Sequence, residues 1–248
     1  MGSLWPSSCQ KVKQNMKSYH LFLIFFFTLK PIWADSNHFV LDFETTKILL
    51  KKDQSLLELR AKAVINPSDI DSAFRTDRTH RIQWTLNPIY QYRLSDLVTT
   101  GICYVYKGQG VFEEDPSQEH RFCQDLILKF GARPSTISHR LRLEERFISE
   151  SSASSWYYRT RLRYRLTHRQ MIGEEGTHQQ WGLNFYDEVF FGLTGSQQLV
   201  QANWLHMGVL FEYEDDRDFE IGATLETSAK PGALEIQNLL LLQMEWTW

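Results

Sequence analysis

Apolar and polar residues alternate along most of this chain. In RIQWTLNPIYQYRL one face carries Ile82, Trp84, Leu86, Pro88, Tyr90 and Tyr92, and the other carries Arg81, Gln83, Thr85, Asn87, Ile89, Gln91 and Arg93. In SHRLRLEERF, Leu141, Leu143 and Phe147 oppose Arg140, Arg142, Glu144 and Arg146. In WYYRTRLRYRLT, Trp156, Tyr158, Leu162, Tyr164 and Leu166 oppose Arg159, Arg161, Arg163 and Arg165. In FEIGATLET, Phe219, Ile221, Ala223 and Leu225 oppose Glu220, Gly222, Thr224 and Glu226. A period of two is the signature of a strand with two unlike faces. Further candidates are Phe39–Leu50, Leu56–Ile65, Leu97–Lys107, His120–Phe130, Gln180–Leu193, Trp204–Tyr213 and Leu234–Trp248. No segment has a helical period, no fixed repeat recurs, and no Pro/Ser-rich linker divides the chain.

The alternation fits two architectures. A soluble sandwich turns apolar faces toward each other. A membrane barrel turns them toward lipid, with aromatics at the interfaces and charge in the lumen. Here the polar face is heavily charged, the strands are long enough to cross a bilayer when tilted, and the chain stops on Trp246 and Trp248. Those two tryptophans read as an aromatic girdle and as the terminal signal taken up by barrel-assembly machinery. The expectation is an all-β, antiparallel transmembrane β-barrel.

LFLIFFFTL (21–29) is too short to span a bilayer as a helix. With Lys17 ahead of it and KPIWADS behind, it reads as a signal peptide cleaved after Ala34. Residues 1–34 are then a leader, with Met16 a more ordinary start than Met1, and 35–248 the barrel. The leader removes four lysines and no acid, taking the formal charge from −3 to −7. An acidic mature chain argues against nucleic acid as a partner. Cys9 leaves with the leader. Cys103 and Cys123 fall on one face of consecutive strands, in a compartment that permits disulfides, and are candidates for a cross-strand bond or for two small buried thiols.

The order of RLRLEERF (140–147), RTRLRYRL (159–166), FYDEVFFGL (185–193) and a final strand pair beginning near Asn203 resembles a family of bacterial outer-membrane barrels known as domain of unknown function 2490. The resemblance covers most of the mature chain, from about residue 80 onward above all. It implies fold and a Gram-negative outer-membrane location, and no activity. The family usually carries Asn-Arg ahead of the penultimate hairpin; this chain has Asn203-Trp204, so any contact made by that arginine is missing.

Eleven segments alternate, and single-chain bacterial barrels normally use even numbers. The expectation is therefore 10 strands, or 12, with Phe39–Leu50 the weakest because Lys47 interrupts its apolar face. A C-terminus on the inner side puts Asn66–His80, Gly108–Glu119, Glu150–Ser155, Thr194–Leu199 and Ser228–Ala233 at the outer rim. RLSD (93–96) and EDDRD (214–218) become short turns, and HRQMIGEEGTHQQ (168–180) is long for that side.

The presumed lumen collects Arg140, Arg142, Arg146, Arg159, Arg161, Arg163 and Arg165 with Glu144, Glu188, Glu220 and Glu226, and also Glu58, Glu212, Glu235 and Glu245. The leading reading is a salt-bridged structural interior, because unpaired buried charge is costly. The alternatives are a narrow anion-preferring channel, a site for an acidic ligand, a lipid-modifying enzyme, and a soluble periplasmic lipocalin-like carrier. For catalysis, no Ser stands in obvious sequence relation to His38, His80, His120, His139, His168, His178 or His206, and neither G-x-S-x-G nor a metal spacing occurs. Asp187-Glu188 would need a bulge to turn both carboxylates inward. The sequence thus predicts a non-enzymatic monomer without cofactor or metal, held in outer-membrane lipid.

Overall fold

The structure, a computed structural model, describes residues 38–65, 82–109, 116–149, 155–172, 180–194, 199–214, 217–229 and 236–248. The signal peptide (1–34) with Cys9, the side chains of His80, His178 and Glu235, and most of the predicted outer-rim connections lie outside them. Eleven strands are present among the described residues: β1 (His38–Lys52), β2 (Ser55–Ile65), β3 (Gln83–Arg93), β4 (Val98–Gln109), β5 (Ser117–Ala132), β6 (Ser135–Ser149), β7 (Tyr157–Ile172), β8 (Gln180–Gly192), β9 (Val200–Glu214), β10 (Arg217–Ala229) and β11 (Ile236–Thr247). They close into one barrel in which sequence neighbours pair antiparallel and β1 closes on β11.

The expectation of 10 or 12 strands is corrected to eleven. An even number follows only if both termini share a rim. With eleven, the first and last strands run the same way, so the seam is parallel, from His38 opposite Leu239 to Thr46 opposite Thr247. Odd barrels of this kind are known among membrane proteins. Phe39–Leu50, the segment marked as weakest, is the closing strand. Lys47 does not interrupt it: its Nζ lies 4.0 Å from the centre of the Trp248 ring, a cation–π contact at the rim. Trp248 anchors the seam further. Its N–H donates to the Thr46 carbonyl at 3.0 Å, its carbonyl accepts from the Ile48 N–H at 3.0 Å, and its Nε1 donates to Thr45 Oγ1 at 3.0 Å.

The connections differ by rim. Residues 53–54, 94–97, 133–134, 173–179 and 215–216 join strands at the rim where β11 ends. Residues 66–82, 110–116, 150–156, 193–199 and 230–235 join them at the other, where β1 begins. β7 runs on to Ile172, so the long polar stretch after it shortens to 173–179. The β5–β6 hairpin needs a glycine: Gly131 has φ +82°, and a Cβ there would meet the Ser135 carbonyl oxygen at 2.6 Å.

The faces segregate as the alternation predicts, and inside out relative to a soluble carrier. Ile102 is 61% exposed and Met207 59%. With Leu126, Leu141, Leu205 and Ile221 they form an outward aliphatic belt. Tyr104, Tyr106, Phe147 and Trp156 ring it on one side, and Tyr92, Trp181, Phe211 and Trp246 on the other. Inside, Asp42, Glu58, Glu119, Asp125, Arg142, Glu144, Arg163, Glu188, His206 and Glu220 are buried. The lipocalin-like arrangement, with the apolar face inward, is the reverse of this. The outward face has polar exceptions. Gln124 and Glu145 border a hollow of about 480 Å³ beside Pro88, where the β3–β4 pairing passes from Leu86–Tyr106 to Ile89–Cys103 without a step between, as a residue lacking an N–H dictates. Asp187 accepts from Asn203 Nδ2 at 2.6 Å.

Candidate luminal site: an arginine wall

The alternating Arg/Leu/Tyr pattern of β6 and β7 forces every second side chain inward, so the arginines of both strands share the lumen. The register sets like against like: Arg140 opposite Arg165, Arg142 opposite Arg163, Arg146 opposite Arg159. Like charges directly opposite each other destabilise a sheet. The carboxylates that relieve them come from β5, β6 and β8.

Glu188, fully buried, accepts from three guanidiniums: Arg140 Nη2 at 2.8 Å, Arg163 Nε at 3.0 Å and Nη2 at 2.8 Å, and Arg165 Nη2 at 2.7 Å. Glu144 does the same with Arg121 at 3.2 Å, Arg161 at 2.7 Å and Arg163 Nη1 at 2.7 Å. Arg163 therefore joins the two centres. Asp125 holds Arg142 through two bonds of 2.7 Å, the fork geometry that suits guanidinium to carboxylate. Glu119 takes Arg146 at 2.6 Å and Arg121 at 2.9 Å. Arg159 stacks over Tyr157, its Cζ 4.7 Å from the ring centre. Seven guanidiniums (Arg121, Arg140, Arg142, Arg146, Arg161, Arg163 and Arg165) thus rest on four carboxylates (Glu119, Asp125, Glu144 and Glu188).

The opposite part of the ring is acidic. Glu245 lies between Glu44 on β1 and Glu220 on β10, each its register partner. Arg60 donates to Glu58 at 2.9 Å and lies 3.8 Å from Glu44, while Lys62 pairs with Asp42. Glu226 also lies on the inward face of β10, at the register of Trp204.

Between the two halves sits a cluster centred on His206. Its Nε2 is 2.6 Å from Glu220 Oε1, its Nδ1 2.8 Å from Thr224 Oγ1, and its ring stacks on Tyr186 at 4.4 Å and 9°. Asn184 Nδ2 donates to both Glu220 oxygens, at 3.1 and 3.0 Å. Two glycines make the room. Gly208 and Gly222 are register partners. A Cβ on Gly222 would meet His206 Cε1 at 2.5 Å, and one on Gly208 would collide with Glu220.

Of the residues singled out from sequence, the structure brings the β6–β7 arginines together with Glu144 and Glu188. It places Glu220 in the separate His206 cluster, Arg159 outside the carboxylate network, and Trp246 and Trp248 at the outer surface. Cys103 and Cys123 are register partners, joined by a disulfide with Cα atoms 4.8 Å apart. Asp187 and Glu188 point to opposite faces, Asp187 exposed and Glu188 buried; the irregularity in β8–β9 falls at Phe190/Phe191 instead. Sequence reading missed Asp125, Glu119 and Arg121, whose polar face is mixed with Cys123 and Ile127. It also missed a Ser–His contact. Ser135 Oγ lies 3.1 Å from His168 Nε2, on the outward face of β6–β7, where 33 residues of separation hid it. Among the described residues no acid is hydrogen-bonded to His168, and no group of His, Cys, Asp and Glu could hold a metal ion.

No curated protein matches the chain. A family model described as a protein of unknown function (DUF2490) matches residues 68–232, which takes in every arginine of the luminal wall, and the chain belongs to that family.

Proposed function

We propose that this chain is a bacterial outer-membrane β-barrel protein, a monomer in outer-membrane lipid, whose salt-bridged lumen is a structural interior rather than a catalytic site. The observation that carries the reading is the inversion of the barrel, with an aliphatic belt and aromatic girdles outside and ion pairs inside. Apolar surface of that extent is stable against acyl chains and costly in water. The arginine wall is stable only because Glu119, Asp125, Glu144 and Glu188 each take two or more guanidinium N–H groups. Barrel-assembly machinery is the partner in biogenesis, read from Trp246 and Trp248. Fractionation tests the proposal: the protein stays with outer membranes through high-salt and carbonate washing. Release into the wash sinks it.

A narrow anion-preferring conduit is the second reading, favoured by one observation. In the ion pairs of the arginine wall the cation is the more accessible partner; Arg165 is 23% exposed and Glu188 0%. What water meets in this part of the lumen is guanidinium, and rings of Arg favour anions. Bilayer conductance with a reversal potential on the anion side supports this reading, and a silent barrel returns the lumen to a purely structural role.

A further inference from the structure

The luminal charge is divided by side as well as balanced by pairs. Following the registers from Glu44 by way of β2 leads through Lys62, Thr85, Lys107, Glu119 and Ile148 to Tyr157 on β7. Following them by way of β11 leads through Glu245, Glu220, Leu210 and Gly182 to Met171 on β7. The ring order puts β6 and β7 across from β1. The height of Glu44 on the far wall therefore lies midway between Tyr157 and Met171, at Arg163 and Arg165. The Glu44–Glu245–Glu220 row thus looks across the lumen at the Arg140–Arg165 pair.

That pair is unusual within the arginine wall. Arg140 and Arg165 stand directly opposite each other on neighbouring strands. Both spend one Nη2 on the same carboxylate, Glu188. In both, the Nε is buried without an acceptor among the described residues. A buried donor left unpaired costs free energy and calls for a reason. Both side chains nevertheless keep accessible surface toward the lumen, 16% and 23%. Two guanidiniums sharing one carboxylate carry a net positive charge, and the acidic row opposite repels an anion toward them.

We propose that Arg140 and Arg165 form an oxyanion seat at mid-height in the lumen, for a phosphate or phosphomonoester group. A tetrahedral phosphate has enough acceptor oxygens to bridge two guanidiniums, and arginine suits it geometrically as well as by charge. The seat rests on the barrel and its lumen and does not require the membrane location, so it is tested apart from that reading.

The experiment is calorimetric titration of the mature barrel, refolded in detergent, with inorganic phosphate and with chloride at matched ionic strength. Folding is checked first by β-sheet circular dichroism and by faster migration without boiling. Saturable phosphate binding that chloride does not reproduce is expected. The affinity falls at least tenfold in R140Q/R165Q and is unchanged in R159Q, a luminal arginine outside the network. Because the glutamine pair strands Glu188, R140K/R165K is measured beside it. It keeps both charges, loses the Nε donors, and is expected to weaken phosphate severalfold. A folded wild-type barrel that shows no saturable phosphate binding overturns the proposal, as does a folded Lys or Gln pair that binds like wild type.

Discussion

Glu188 shows how far the luminal network depends on single groups. It is the acceptor for Arg140, Arg163 and Arg165, so Glu188→Gln leaves three cations with weakened partners in a low-dielectric interior. Removing one member of a buried ion pair costs about 3–5 kcal/mol. A urea denaturation midpoint in refolded barrels is expected to fall accordingly, whereas Arg159→Gln, which breaks no carboxylate pair among the described residues, shifts stability by less than about 1 kcal/mol. The glycines under His206 make a second prediction at this scale. Gly222→Ala pushes the imidazole off Glu220 and Thr224, with an overpacking cost of about 1–3 kcal/mol, read from the same denaturation curves. Six of the seven arginines of this network were legible in the sequence, because alternation alone puts Arg140, Arg142, Arg146, Arg161, Arg163 and Arg165 on one face; Arg121 was not. Their partners were less so. Which carboxylate meets which arginine depends on register across strands 17 to 48 residues apart, and a one-residue slip reverses every face. The Ser135–His168 contact was hidden for the same reason.

At the level of elements, strand positions followed from the alternation and strand number did not. The eleven alternating segments are the eleven strands, and the parity rule displaced a correct reading of Phe39–Leu50. Lys47 looked like a fault in that strand because its partner, Trp248, lies at the far end of the sequence. The strand order has a consequence that can be measured. Gln54 lies at the rim where β11 ends, and Ser155 at the rim where β1 begins. In sealed vesicles with one insertion direction, Gln54→Cys and Ser155→Cys react with an impermeant maleimide from opposite sides; labelling of both from one side contradicts the strand order. The β4–β5 pair yields a further test. Cys103 and Cys123 close a loop of about 20 residues. Replacing both with Ala is expected to cost about 2–4 kcal/mol by the loop-closure argument and to leave the barrel closed, because the β4–β5 ladder runs unbroken from Val98–Leu128 to Gln109–Ser117.

For the whole molecule, the arrangement of charge and apolar surface is what links fold to role. On the proposed reading, a barrel with aliphatic residues outside and ion pairs inside is more stable against lipid than in water, and its interior tolerates charge through the pairing described above. The sequence carried this reading through two separate signals: the charge density of one face, and aromatic residues near the strand ends. Neither signal distinguishes inside from outside by itself, since alternation is symmetric; only closure of the barrel assigns the faces. The most direct measurement is the collision accessibility of spin labels placed at Leu205, Met207 and Val209 of the protein refolded in lipid vesicles. Greater relaxation by oxygen than by a water-soluble nickel chelate at all three positions is the predicted result, since each faces outward from β9 within the aliphatic belt. Greater relaxation by the nickel chelate would place that belt in water and contradict the membrane-barrel account.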